Sequence, residues 1–189
     1  IDRIDYSNDT AAAEVKGPLS IDKEGLAATG NASYGYFIGG GPSGSGSSSI
    51  SRVDFSADTS TATTKGPLAA GKWYGAATGT QSYGYIGGDN PQDPNPPNSE
   101  IQRIDYGNDT ATTVAKGPLS IGTRYGLGAT GNSSYGYFGG GSTFPATAYW
   151  STVDRLDYSN DTATAVAKGP LSYSIKHLAA TGDASFGYF

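Results

Sequence analysis

Two series of aspartates run through this chain four residues apart: Asp5, Asp54, Asp105 and Asp157, then Asp9, Asp58, Asp109 and Asp161. Carboxylates spaced this closely invite a calcium reading, because hard cations take several oxygen ligands. Both series lie in turn-like phrases such as Asp-Tyr-Ser-Asn-Asp-Thr, where Asp and Asn bond the backbone unaided. No metal is therefore expected. Arg3, Arg52, Arg103 and Arg155 put one guanidinium at the same site of a recurring phrase, which marks scaffold rather than catalysis. His177 is the one histidine and there is no cysteine, so a metal or base role lacks partners and a surface role is expected. No catalytic group and no cofactor are assigned. The triplets starting at Asn8, Asn31, Asn108, Asn132 and Asn160 match glycosylation acceptors, yet they sit in turns that call for Asn anyway. The Gly-rich stretches have no following Lys-Ser/Thr to make a phosphate cradle.

These residues are positioned by a repeat. Lys-Gly-Pro-Leu recurs at Lys16, Lys65, Lys116 and Lys168, at spacings of 49, 51 and 52 residues, a period of blade-forming repeats rather than helical solenoids. Each repeat divides into four strand-like pieces. The first is short and made of small residues, as in Leu26 to Thr29. The second is Tyr34-Gly35-Tyr36-Phe37 and its echoes, where period two sets aromatics on one face and glycine on the other. A glycine facing inward lets a neighbouring sheet come close. The third, Ser51 to Phe55 and its copies, alternates charged and apolar residues as a half-buried antiparallel strand does. The fourth is rich in Thr and Ala and stops at proline. The expected architecture is all-β: a β-propeller of four blades, each a four-stranded antiparallel meander. The chain opens on strands three and four and closes on strands one and two. N-terminal strands are thus expected to pair with C-terminal strands, Ile4 beside Tyr188, and to close the ring. One domain, 1–189, holds repeats at about 1–25 with 178–189, 26–74, 75–125 and 126–177, and a longer parent chain is compatible with this.

Two connections of each repeat are nearly constant, Ser-Asn-Asp-Thr and Thr-Gly-Asn, and two vary in length and composition. In a meander the variable pair falls at one end of the sheet, so the variation collects on one face. Trp73, Tyr74, Tyr149 and Trp150 occupy no repeat position on that face, and exposed aromatics are surfaces on which sugar rings and partner proteins stack. The candidate ligand-binding set is Trp73, Tyr74, Asp89, Asp93, Arg124, Phe144, Tyr149, Trp150, Tyr173 and His177.

A net charge of −5 and a pI near 4.6 offer no basic patch for nucleic acid, and no run is apolar enough to cross a membrane as a helix. The order of a small-residue strand, a Tyr-rich strand ending in Gly39-Gly40, Gly87-Gly88 or Gly139-Gly140, and a strand ending in Asp5-Tyr6, Asp105-Tyr106 or Asp157-Tyr158 resembles the kelch repeat of β-propellers. The fourth strand has Ala or Thr where kelch blades usually carry Trp, which speaks against the intracellular adaptor branch. The phrasing is more closely similar to kelch-like repeats in structural proteins of marine tailed phages. That resemblance implies a non-enzymatic virion or tail-fibre module, extracellular in location, that binds other virion proteins or a host-surface glycan. The alternatives are a propeller enzyme of glycoside hydrolase or oxidase type, which would show convergent titratable groups at the axis, and a kelch-type adaptor.

Overall fold

The strands are short because turn residues interrupt the chain every few positions, and each lies antiparallel to its partner. A computed structural model describes residues 1–42, 44–90, 99–143 and 148–189. In chain order the strands are β1 (Asp2–Arg3), β2 (Glu14–Val15), β3 (Ala27–Gly30), β4 (Tyr34–Ile38), β5 (Ile50–Asp54), β6 (Thr63–Lys65), β7 (Ala76–Gly79), β8 (Tyr83–Gly87) and β9 (Glu100–Asp105). There follow β10 (Val114–Pro118), β11 (Gly128–Gly131), β12 (Tyr135–Gly139), β13 (Ser142–Thr143), β14 (Ala148–Tyr149), β15 (Val153–Asp157), β16 (Val166–Ala167), β17 (Thr181–Gly182) and β18 (Gly187–Tyr188). Three four-stranded meanders result, β3-β4-β5-β6, β7-β8-β9-β10 and β11-β12-β15-β16. The pairs β1-β2, β13-β14 and β17-β18 stand as two-stranded sheets.

The pairing expected to close a ring is not formed. β1 pairs with β2 alone and β17 with β18 alone, so Ile4 and Tyr188 are not strand partners, and the described residues make three complete four-stranded sheets with a two-stranded pair near each end. Ile4 is 59% exposed and Tyr188 62%.

Neighbouring sheets join through one repeated set of contacts. Tyr36 of β4 is fully buried and stacks on Tyr106 of the next sheet at 4.6 Å, and Tyr85 of β8 stacks on Tyr158 at 4.7 Å. Glycine makes room for this: a Cβ on Gly84 would lie 2.6 Å from the Tyr106 hydroxyl and 2.9 Å from Thr29 of the preceding sheet. Apolar clusters fill the two joints, with Ile38, Ile50, Leu68, Ile86 and Ile104 in the first and Ile101, Leu119, Leu127, Phe138 and Leu156 in the second. Behind the tyrosines, Arg52 and Lys65 converge on Asp109 at 2.8 and 3.2 Å, and Arg103 and Lys116 converge on Asp161 at 2.8 and 3.1 Å. Arg3 reaches Asp58 in the same way, at 2.8 Å.

The Lys-Gly-Pro phrase thereby finds its purpose. The Gly17, Gly66 and Gly117 amides donate to Asp58, Asp109 and Asp161 carbonyls of the following sheet, and the Pro18, Pro67 and Pro118 carbonyls accept from Ala62, Thr113 and Ala165. A Cβ at any of the three glycines would overlap the next sheet's turn backbone. The other aspartate series caps turns: Asp54, Asp105 and Asp157 each accept the amide two residues on, at 2.9 Å. Asn31 and Asn132 do likewise in the β3-β4 and β11-β12 turns.

Candidate functional site

The variable connections meet at one end of the sheets. Single bridges tie Glu24 to Gly41, Ser47 to Lys72 and Tyr125 to Ser142. Inside this layer a backbone series steps from repeat to repeat. The Tyr74 amide donates to the Gly25 carbonyl at 2.8 Å, that of Gly126 to Tyr74 at 2.7 Å, and that of His177 to Gly126 at 2.7 Å. All four residues have left-handed φ: 64° at Gly25, 56° at Tyr74, 67° at Gly126 and 55° at His177. Glycine adopts this at no steric cost, whereas a residue with a side chain pays about 1–2 kcal/mol. Two of the four equivalent positions therefore carry a side chain against the backbone's preference, and both side chains are rings.

Those rings form an arc. Trp73 and Tyr74 lie 4.9 Å apart, Tyr74 and His177 meet edge-on at 5.3 Å, and Tyr125 lies 6.0 Å from His177. The Lys176 ammonium sits 5.4 Å from the Tyr125 ring and 5.3 Å from that of Tyr149, joining the half-exposed Tyr149 to the group. Burial pulls the His177 pKa below its ordinary value, and the neighbouring Lys176 charge adds to the effect. The shift favours the neutral imidazole.

Four of the ten sequence candidates, Trp73, Tyr74, Tyr149 and His177, come together here. Asp89 and Arg124, expected on the variable loop face, do not face solvent: both are buried supports of the loops. Arg124 is wholly buried, donates to the Gly140 carbonyl at 2.7 Å and to that of Thr152 at 3.1 Å, and pairs with buried Asp154. Asp89, 1% exposed, accepts the Trp73 amide at 3.0 Å, and the Asn90 amide donates to the Trp73 carbonyl at 2.8 Å. A carboxylate thus sets the backbone beneath the arc. Trp150 is half-buried, its backbone bonded to Gly141 and Ile175, and its indole Nε1 is buried without a partner among the described residues. Trp73 is also half-buried, its ring edge against Gly25. Both tryptophans therefore pack within loops, with less free surface than their absence from the repeat suggests. Tyr173 is 66% exposed and stands apart from the arc. Asp93 and Phe144 lie outside the described residues.

Tyr125 and Lys176 were not singled out from sequence. Each lies in the variable connection after Lys-Gly-Pro-Leu of its own repeat, one residue before the left-handed position, and alignment on that position would have found them. Elsewhere the titratable side chains serve the scaffold, since the arginines of the repeat pair with aspartates or lie over Tyr34, Tyr83 and Tyr135 at 4.2 to 4.4 Å. Compared with protein-family models and with curated proteins, the chain matches none.

Proposed function

We propose that this chain is a non-enzymatic recognition module on kelch-like, propeller-type repeats, and that it binds a carbohydrate through the aromatic arc of its variable loop face. The observation carrying this reading is the left-handed backbone at Tyr74 and His177, where the equivalent repeats place glycine. Strain kept at two positions, both bearing contiguous rings, points from an outlier to a use. Flat aromatic faces with polar tips are suited to the apolar faces of sugar rings. A site on a virus particle or other extracellular appendage, as the resemblance to phage structural repeats implies, would take a host-surface glycan.

The test separates binding from folding. Tyr74→Gly removes a ring and restores the residue type that its backbone favours, so its thermal melt should equal or exceed the wild type's. Tyr149→Ala, at a half-exposed position, should melt within a degree or two of wild type. On a glycan array both variants should bind about tenfold or more weakly, the effect of losing an aromatic hot spot worth over about 1.4 kcal/mol. Undiminished glycan binding by both variants would remove the arc from consideration.

A further inference from the structure

Of the twelve lysines and arginines in the chain, all but one hold a place set by the repeat. Eight belong to the Arg and Lys positions of the recurring phrases, and Lys23, Lys72 and Arg124 each stand two residues before the left-handed step. Those three spend their N–H groups on loop carbonyls, as Lys23 does on Ser49, Lys72 on Glu100 and Arg124 on Gly140. The fourth repeat breaks the series. Ile175 takes the position of the buried cations, and the charge stands one residue later, at Lys176.

That displacement moves the ammonium from beneath the loops into the aromatic arc. It lies 5.4 Å from the Tyr125 ring and 5.3 Å from that of Tyr149, and it has no hydrogen bond or ion pair among the described residues. Ring faces attract a cation without neutralising it, so its donors stay available to an incoming anion. Tyr125 is buried and Tyr149 is 50% exposed, which leaves Tyr149 as the open ring beside the charge.

The residue before the left-handed step reads Glu24, Trp73, Tyr125 and Lys176 in the four repeats. The arc is therefore polar from end to end. At the Trp73 end, the exposed Glu24 carboxylate and the Trp73 ring both lie within 4 Å of where a Cβ of Gly44 would stand. At the other end is Lys176. The chain as a whole carries a charge of −5, which disfavours anions at long range, so any preference for an acidic ligand has to come from this one ammonium.

We propose that the arc takes an acidic sugar. A ring bearing a carboxylate or a sulfate ester rests on Tyr149, its anionic group accepts from the Lys176 ammonium, and Glu24 turns that group away from the Trp73 end. Hydrogen bonds between two charged groups are about twice as strong as neutral ones, which makes this contact decisive for selectivity. The inference rests on the carbohydrate reading above and adds the charge of the ligand.

The probes are matched oligosaccharides on one array: uronates with their methyl esters, sialylated glycans with their asialo parents, and sulfated glycans with their desulfated forms. The wild type should bind an acidic member about tenfold or more tighter than its neutral partner, the worth of one hydrogen bond to a charged group. In Lys176→Gln the acidic member should fall to the level of the neutral one, and unchanged binding of the neutral member shows that the variant is folded. Lys176→Arg keeps the charge and should keep the preference. The pair that responds tells carboxylate from sulfate. Equal binding of acidic and neutral members by the wild type overturns the proposal and leaves the arc as a site for neutral glycans. A preference that survives Lys176→Gln overturns it as well. If no member of any pair is bound, this proposal and the carbohydrate reading fall together.

Discussion

A cation lies beneath the variable loops in three repeats, each time four residues before the inner strand: Lys23, Lys72 and Arg124. Lys23 donates to the Phe37 and Ser49 carbonyls at 3.3 and 2.9 Å, and burial lowers its pKa from 10.5 to about 8. Below pH 8 the folded and unfolded chains both hold this proton and the residue adds no pH dependence. Between about 8 and 10.5 the unfolded chain keeps a proton that the folded chain gives up, so stability should rise with pH. Melting temperatures of wild type and Lys23→Gln, compared from pH 7.5 to about 9.5, below the ordinary tyrosine pKa, should diverge upward in the wild type. Parallel curves would show that Lys23 titrates normally. At this scale the sequence distinguished Trp73, Tyr74, Tyr149 and Trp150 as residues the repeat does not need. It did not tell Arg124 and Asp89 from surface polar groups, because their burial depends on partners distant in sequence, Asp154 for one and the Trp73 backbone for the other.

At the scale of strands and sheets, period-two alternation located all three complete meanders, since the alternation is a local consequence of pleating. The hairpin β13-β14 inside the third variable connection was not anticipated, for two-residue strands leave no periodicity to read. Tyr36 and Tyr137 have the same repeat position but different surroundings. Tyr36 is fully buried, stacked on Tyr106 and bonded to Asp109 at 3.0 Å, while Tyr137 is partly exposed beside a cleft. Tyr36→Ala should cost about 3–5 kcal/mol, the usual range for a buried aromatic. Tyr137→Ala should cost less than half of that. Urea unfolding of the two variants checks the difference, and equal losses would mean that Tyr137 is as buried in solution as Tyr36.

Across the whole molecule, cooperativity should fall toward the ends. The central sheet β7-β8-β9-β10 is packed on both sides, whereas β1, β2, β17 and β18 are exposed throughout. Amide exchange should be slowest in β8 and β9 and fast in the four terminal strands, because local opening follows the packing lost. Equal protection of the terminal and central strands would show that β1 and β18 are paired in solution.

What the sequence determined by itself was everything repeated and local: the strands, the constant turns, the glycines that admit a neighbouring sheet, and the collection of variable loops at one end. The tertiary structure alone decided two further things. One is that the two terminal strand pairs, β1-β2 and β17-β18, are not paired with each other, a long-range matter that no single repeat encodes. The other is the aromatic arc, whose members Trp73 and Tyr74, Tyr125, Tyr149, and Lys176 and His177 come from four separate stretches of the sequence. They become neighbours because a left-handed backbone step recurs at the same place in each repeat.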